Sequence, residues 1–142
     1  LEKLFMPLGI DEYYWPTNPQ GYARGGGGVR LTPRDMAKLG YLHLQNGKWE
    51  NKQLVSEEWI QESGKRHIIS QHIPGFWYEY QFWVTEDGLM YTALGYAGQW
   101  IMIVPEYELV VVFTNNFNEG VEDQESIPMR MFYEYILNSV LD

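Results

Sequence analysis

The sequence predicts an α+β fold in which a three-stranded antiparallel meander is flanked by helices. Two apolar runs in the C-terminal half predict a β-hairpin, because the short turn segment 105–108 joins the run QWIMIV to the run LVVVF. Ahead of them, the segment FWYEYQFWV places every second residue on one apolar face, which is typical of a strand. Helix signals on both sides of these strands complete the α+β pattern.

Two helices are predicted before the strands, from their capping residues. The first begins at Thr32, a suitable N-cap that is followed by Pro33 at the first helical position, and it ends at residues 46–47, Asn-Gly. The second begins at Ser56 and ends near Gly64.

A third helix is predicted to close the chain. It begins at Ser126. Helical spacing predicts that five of its side chains face inward: Met129, Phe132, Tyr133, Ile136 and Val140. Because QWIMIV and LVVVF are apolar on both of their faces, these strands are expected to be covered on both sides of the sheet.

The first thirty residues carry weaker signals. LEKLFMPLGI predicts the tail of an amphipathic helix, with Leu1, Leu4, Phe5 and Leu8 on one side. This stretch is neither a methionine start nor a signal peptide, so the chain is expected to be a piece of a longer protein. The loop 11–30 contains four consecutive glycines, and its aromatic residues predict that it packs onto the fold.

Composition excludes several classes of function. The chain has 142 residues, the length of one ordinary domain, and a net charge of −9 from 10 basic and 19 acidic residues. This acidic balance argues against nucleic-acid binding. The absence of cysteine excludes thiol catalysis, disulfides and cysteine-based zinc sites. No apolar run approaches the ~18 residues of a transmembrane helix, so no membrane span is predicted.

Metal, phosphate and self-contained serine chemistry are not predicted. His67 and His72 are not spaced as metal ligands on one helical face, and the acidic segment 119–125 lacks the ligand order of a calcium loop. The glycine run 25–28 is not followed by the Gly-Lys-Ser/Thr of a phosphate loop. None of the serines lies in G-x-S-x-G or precedes a lysine by three positions; they are Ser56, Ser63, Ser70, Ser126 and Ser139.

The segment Gly95-Tyr96-Ala97-Gly98-Gln99 is the strongest candidate site. Two glycines beside a buried strand indicate that something approaches the backbone closely. Two explanations stay open at this point. Either a ligand reaches the backbone here, or a neighbouring strand or helix merely packs against it.

Several stretches in the same order resemble one family. They are PLGI, GGGGVRLTPRDMAKLGYLHLQNGKW, KQLVSEEWI and LGYAGQWIMIVPEYELVVVFTNN. Together they resemble the serine β-lactamase-like superfamily, in its class C β-lactamase, esterase and penicillin-binding-protein-related branch. The G-Y-A-G-Q pattern is most similar to the 6-aminohexanoate-dimer hydrolase type.

The resemblance implies that residues 1–142 are the C-terminal portion of a single β-lactamase-like α/β/α sandwich. The family's S-x-x-K motif, which supplies nucleophile and base, and its Y-x-N/S motif would then lie upstream in a missing N-terminal half. Ala93-Leu94-Gly95 falls where the family has K-T-G, and Ala93 cannot supply the usual lysine charge. The implied function is hydrolysis of an ester or amide, possibly β-lactam-like, through an acyl-serine intermediate, with this chain inactive alone.

The resemblance also implies roles for residues near the hairpin. Gly95 and the backbone N–H of Tyr96 would contribute to an oxyanion hole, and Gly98, Gln99 and Asn116 would contact substrate. No cofactor is implied, and the location implied is periplasmic or extracellular. The alternative is a non-catalytic ligand-binding or interaction domain of the same fold. Because the exposed sheet edges of an isolated piece favour association, self-association is also predicted.

Overall fold

A computed structural model describes residues 1–71, 73–116 and 126–141 of the chain. The elements before the main sheet are β1 (Tyr13–Tyr14), β2 (Arg30–Leu31), α1 (Pro33–Leu44), β3 (Lys48–Trp49), β4 (Lys52–Gln53) and α2 (Glu57–Ser63). The main sheet contains β5 (Ile68–Ile69), β6 (Phe76–Glu79), β7 (Phe82–Thr85), β8 (Tyr91–Gly95), β9 (Gln99–Val104) and β10 (Leu109–Phe113). Two short helices, α3 (Ile127–Met131) and α4 (Asn138–Leu141), flank a π-helical turn at Phe132–Leu137.

The α+β class and the antiparallel sheet with flanking helices are confirmed, but the sheet is larger than predicted. Six antiparallel strands follow one another in the order β10-β9-β8-β7-β6-β5, where the sequence predicted three. The segment FWYEYQFWV is a hairpin rather than one strand, and it turns at Tyr80 (φ 39°) and Gln81 (φ 75°). Such two-residue turns usually carry Asn-Gly, so Tyr80-Gln81 is not recognisable as a turn from its residue types.

Helix α1 covers one face of the sheet by packing across β9 and β10. Its closest approach is at Gly40, where an added Cβ would lie 2.6 Å from Cγ1 of Val110 and 2.9 Å from Cγ2 of Ile101. A glycine is therefore what allows this helix to lie directly on the sheet. The end of α2 reaches the same face near Tyr91.

Both predicted caps of the first two helices are confirmed. The hydroxyl of Thr32 accepts a hydrogen bond from the backbone N–H of Asp35 at 3.2 Å, and the hydroxyl of Ser56 accepts one from Trp59 N–H at 3.2 Å. Lys38 then connects α1 to the start of the chain, because its Nζ donates to the carbonyl of Gly9 at 2.7 Å.

The first ten residues form a series of turns and not the predicted helix. Pro7 lacks a backbone donor and Gly9 has a φ of 59°, so neither can continue a helix. The apolar side chains are nevertheless buried at Phe5, Leu8 and Ile10, where they form a cluster with Leu42 of α1.

The C-terminal helical segment covers the other face of the sheet. Phe132 and Leu137 pack in one core with Met102 and Val104 of β9. The predicted inward positions Tyr133 and Val140 are wrong, since these side chains are 37% and 43% exposed. The π-helical turn at Phe132–Leu137 breaks the regular helical spacing, which brings Leu137 inward instead.

Candidate functional site

An open cleft of about 1010 Å³ lies at the end of the sheet where β8 turns into β9. Its walls are formed by Leu4, Phe5 and Trp15 of the N-terminal segment, by residues 27–31, by one side of α1, and by the strand ends 93–95 and 114–116. Because α1 packs on β9 and β10, the loop that leads into α1 is held beside this end of the sheet.

The segment 95–99 is the tip of the hairpin between β8 and β9. Gly95 pairs with Gln99, and the loop between them contains Ala97 (φ 59°) and Gly98 (φ 76°) in the left-handed region. A Cβ at Gly95 would lie 3.0 Å from Cβ of Gln99, so close packing across the hairpin is one reason why this position is a glycine. Gly95 also lines the cleft, and the approach of a ligand to its backbone stays a prediction.

Two side-chain hydrogen bonds fasten this tip to the segment after β10. The side-chain amide of Gln99 donates to the carbonyl of Asn115 at 2.5 Å, and the side-chain amide of Asn115 donates to the carbonyl of Gly98 at 2.9 Å. Asn116 was predicted from the sequence to contact substrate, whereas Asn115 was not predicted to have a role. No sequence signal distinguishes the two asparagines, because the bridge depends on how the ends of β9 and β10 face each other.

The residues singled out from the sequence fall into two groups. Gly95, Gln99 and Asn116 line the cleft. Gly98 is buried at the hairpin tip, and Tyr96 lies in the same turn with its side chain 70% exposed.

One further residue of the cleft was not predicted from the sequence to have a functional role. Arg30 of β2 is the only charged side chain on the walls formed by the described residues. Its guanidinium lies over the ring of Tyr14, 5.4 Å from the centroid. A positively charged side chain two positions after the glycine run 25–28 was the available sequence signal.

The groups with strongly displaced pKa values lie outside the cleft. Burial lowers the pKa of His43 to about 4 and raises the pKa of Tyr91 to about 12. The ring of His43, which belongs to α1, and the ring of Tyr91 in β8 are neighbours, with centroids 6.1 Å apart. Neither ring lines the cleft. Their displaced pKa values therefore reflect packing between α1 and the sheet.

The described residues contain no group of three or more His, Asp or Glu side chains able to hold a metal ion. Of the side chains weighed as ligands from the sequence, His72 and the segment 119–125 lie outside the described residues. Within the same described ranges, every helix is too short or too polar to cross a membrane.

The family to which this chain belongs follows from comparison with known protein families. The profile of the family named Beta-lactamase matches residues 2–134. The chain belongs to the Beta-lactamase family. No curated protein matches it.

Solved structures agree on the fold of this Beta-lactamase family member. The structure named "Putative 6-aminohexanoate-dimer hydrolase from Bacillus anthracis" matches 97% of the chain at 24% identity, with a TM-score of 0.72. A second, named "Crystal structure of putative beta-lactamase from Bacteroides dorei DSM 17855", matches 99% at 17% identity, with a TM-score of 0.69. This chain spans 37% of the first of these proteins and 50% of the second.

Proposed function

We propose that this chain is the C-terminal part of a serine hydrolase that cleaves an ester or amide bond through an acyl-serine intermediate. Membership of the Beta-lactamase family is the observation that carries the proposal. In the proposed reaction, a serine Oγ attacks the carbonyl carbon, a base takes the hydroxyl proton, and the alcohol or amine departs. Water then hydrolyses the acyl-serine and releases the acid.

We propose further that the nucleophile and base lie outside these 142 residues. No serine is among the described residues that line the cleft. None of the five serines of the chain has a lysine three positions later. The two solved structures named above are also longer, since the chain spans 37% and 50% of them.

The proposed contribution of this chain is one wall of the substrate cleft. The backbone N–H of Tyr96 would donate to the oxyanion, while Gly95 leaves room for the carbonyl and Gln99 and Asn116 complete that wall. Gly98, expected from the sequence to contact substrate, is buried at the hairpin tip and would instead hold the tip in place through its carbonyl. Support comes from the bridge between Gln99, Asn115 and Gly98, which fixes the direction of the hairpin tip. Donors that are fixed before the reaction are what stabilise a developing oxyanion best.

A fluorophosphonate probe tests the proposal directly. The 142-residue chain should show no covalent adduct, because it supplies neither nucleophile nor base. The complete product of the gene should be labelled on a serine outside this chain. An adduct located by mass spectrometry on Ser56, Ser63, Ser70, Ser126 or Ser139 would contradict the assignment of roles.

The second candidate is a non-catalytic ligand-binding domain, and Ala93 is the observation that favours it. Ala93 lines the cleft at the position where the resemblance implies a lysine. A complete gene product that binds small ligands in the cleft but is never labelled by the probe would select this alternative.

A further inference from the structure

We propose that the substrate of this cleft carries a carboxylate and that Arg30 binds it. The inference rests on the proposed function, because the carboxylate is assigned to the ester or amide that the cleft would hold. It adds a substrate class and a specificity-determining residue to that function.

The charge distribution around the cleft is the first argument. The chain as a whole carries a net charge of −9, yet the single charged side chain on the described walls is the cation Arg30. The surrounding walls are mainly apolar, with Phe5, Trp15 and Met36 among them. A lone cation among apolar side chains favours a ligand that pairs a hydrocarbon portion with an anionic group.

The surroundings of the Arg30 guanidinium are the second argument. Within residues 1–71, 73–116 and 126–141, Arg30 forms no ion pair and no side-chain hydrogen bond. Its one side-chain partner is the ring of Tyr14, which lies beneath it at 5.4 Å. The backbone of Arg30 is held by its pairing with Tyr14 in the β1–β2 ladder.

This arrangement suits the two oxygens of a carboxylate. A guanidinium stacked on an aromatic ring keeps the edges of its plane available, and its fork matches the two oxygens of a carboxylate. Arg30 and Gly95 line the same cleft from different parts of the chain. A substrate whose scissile carbonyl lies at Gly95 can therefore extend its acidic end toward Arg30.

The closing experiment first measures binding, which requires no nucleophile. The full 142-residue chain, labelled with ¹⁵N, is titrated with heptanoate and with heptanamide, which differ in charge but hardly in shape. Heptanoate should bind more tightly and shift the amide signals of Gly28, Arg30 and Gly95. Arg30→Gln should weaken heptanoate binding about 10- to 100-fold, the range expected for a hydrogen bond to a charged group. Heptanamide binding should be unchanged.

Arg34→Gln is the matched control, because it removes the same charge from α1 at an exposed position that does not line the cleft. It should change heptanoate affinity less than about two-fold, since an exposed charge that does not line the cleft is screened by salt. Equal binding of heptanoate and heptanamide to the unchanged chain would overturn the inference. Equal losses in Arg30→Gln and Arg34→Gln would also overturn it.

Hydrolysis by the complete gene product separates this inference from the proposed function. The mono-4-nitrophenyl ester of pimelate should be cleaved with a higher kcat/KM than 4-nitrophenyl heptanoate, and Arg30→Gln should abolish that preference. If neither ester is cleaved but heptanoate binds through Arg30, the proposed hydrolase activity is wrong and the assignment of a carboxylate ligand to Arg30 is supported. If both esters are cleaved equally and Arg30→Gln changes neither rate, the carboxylate-binding role of Arg30 is wrong and the proposed hydrolase activity is supported.

Discussion

Replacing Gly40 by alanine tests how α1 is held on the sheet. The added methyl group would lie 2.6 Å from Cγ1 of Val110 and 2.9 Å from Cγ2 of Ile101. Both neighbours are β-branched side chains that are stiff at χ1, so neither can easily turn away. Inserting a methyl group into such a contact typically costs about 1–3 kcal/mol. Alanine gains about 1 kcal/mol over glycine inside a helix, so the net expectation is destabilisation by up to about 2 kcal/mol.

The assay is urea unfolding of the full chain, followed by circular dichroism. Gly64→Ala is the control, because the nearest atoms to its added Cβ are 3.8 Å away and its φ of −97° suits alanine. That variant should be unchanged or slightly stabilised, by up to about 1 kcal/mol. Adding Val110→Ala to Gly40→Ala should recover part of the loss, which a double-mutant cycle would report as coupling. A Gly40→Ala chain that is more stable than the unchanged chain would refute the packing argument.

Four further predictions address other parts of the molecule. Burial lowers the pKa of His43 to about 4 from 6.5, so its stabilising contribution is complete above pH 6.5 and is lost as the pH falls toward about 4. The free energy of unfolding should fall by at most roughly 3 kcal/mol between pH 6.5 and pH 4 on account of His43. His43→Phe should remove this pH dependence from unfolding curves measured in that range. Gln81→Gly should raise stability by about 0.5–1 kcal/mol in the same urea assay, because φ is 75° there. In the complete gene product, Tyr96→Pro deletes the proposed donor and should lower kcat about 10²- to 10³-fold, while Tyr96→Ala keeps the N–H and should retain most activity. The chain should sediment as a dimer or larger, because β10 is the last strand of the sheet and its five residues are apolar and only half-buried; a monomer that binds no hydrophobic dye would contradict this.

Local signals in the sequence predicted local structure well. Thr32 and Ser56 cap helices as expected, because a cap hydrogen bond reaches only the next three residues. The turn at Tyr80 and Gln81 was missed for the opposite reason. Neither residue is usual at positive φ, and the turn forms because β6 and β7 pair with the rest of the sheet. The cap predicted at Ser126 is wrong, since its side chain forms no cap hydrogen bond with α3.

The candidate site was predicted only in part, because its walls come from distant segments. Gly95 and Gln99 were accessible from the sequence, since glycines beside an apolar strand are unusual. Asn115 was missed because its hydrogen bonds cross from the end of β10 to the hairpin tip. Arg30 was missed because nothing local shows that the glycine run 25–28 leads to the same cleft as the hairpin.

The contact at Gly40 also determines the geometry of the cleft. Arg30 lies three residues before Pro33, the first residue of α1, so the position of α1 fixes where the Arg30 side chain begins. The same helix rests on Ile101, two residues after Gln99 at the hairpin tip. A helix lifted from the sheet by a methyl group at position 40 would therefore move Arg30 relative to Gly95. The proposed recognition of a carboxylate would then depend on the same helix–sheet contact as the packing of α1, and Gly40→Ala should weaken heptanoate binding even in the fraction of molecules that remain folded.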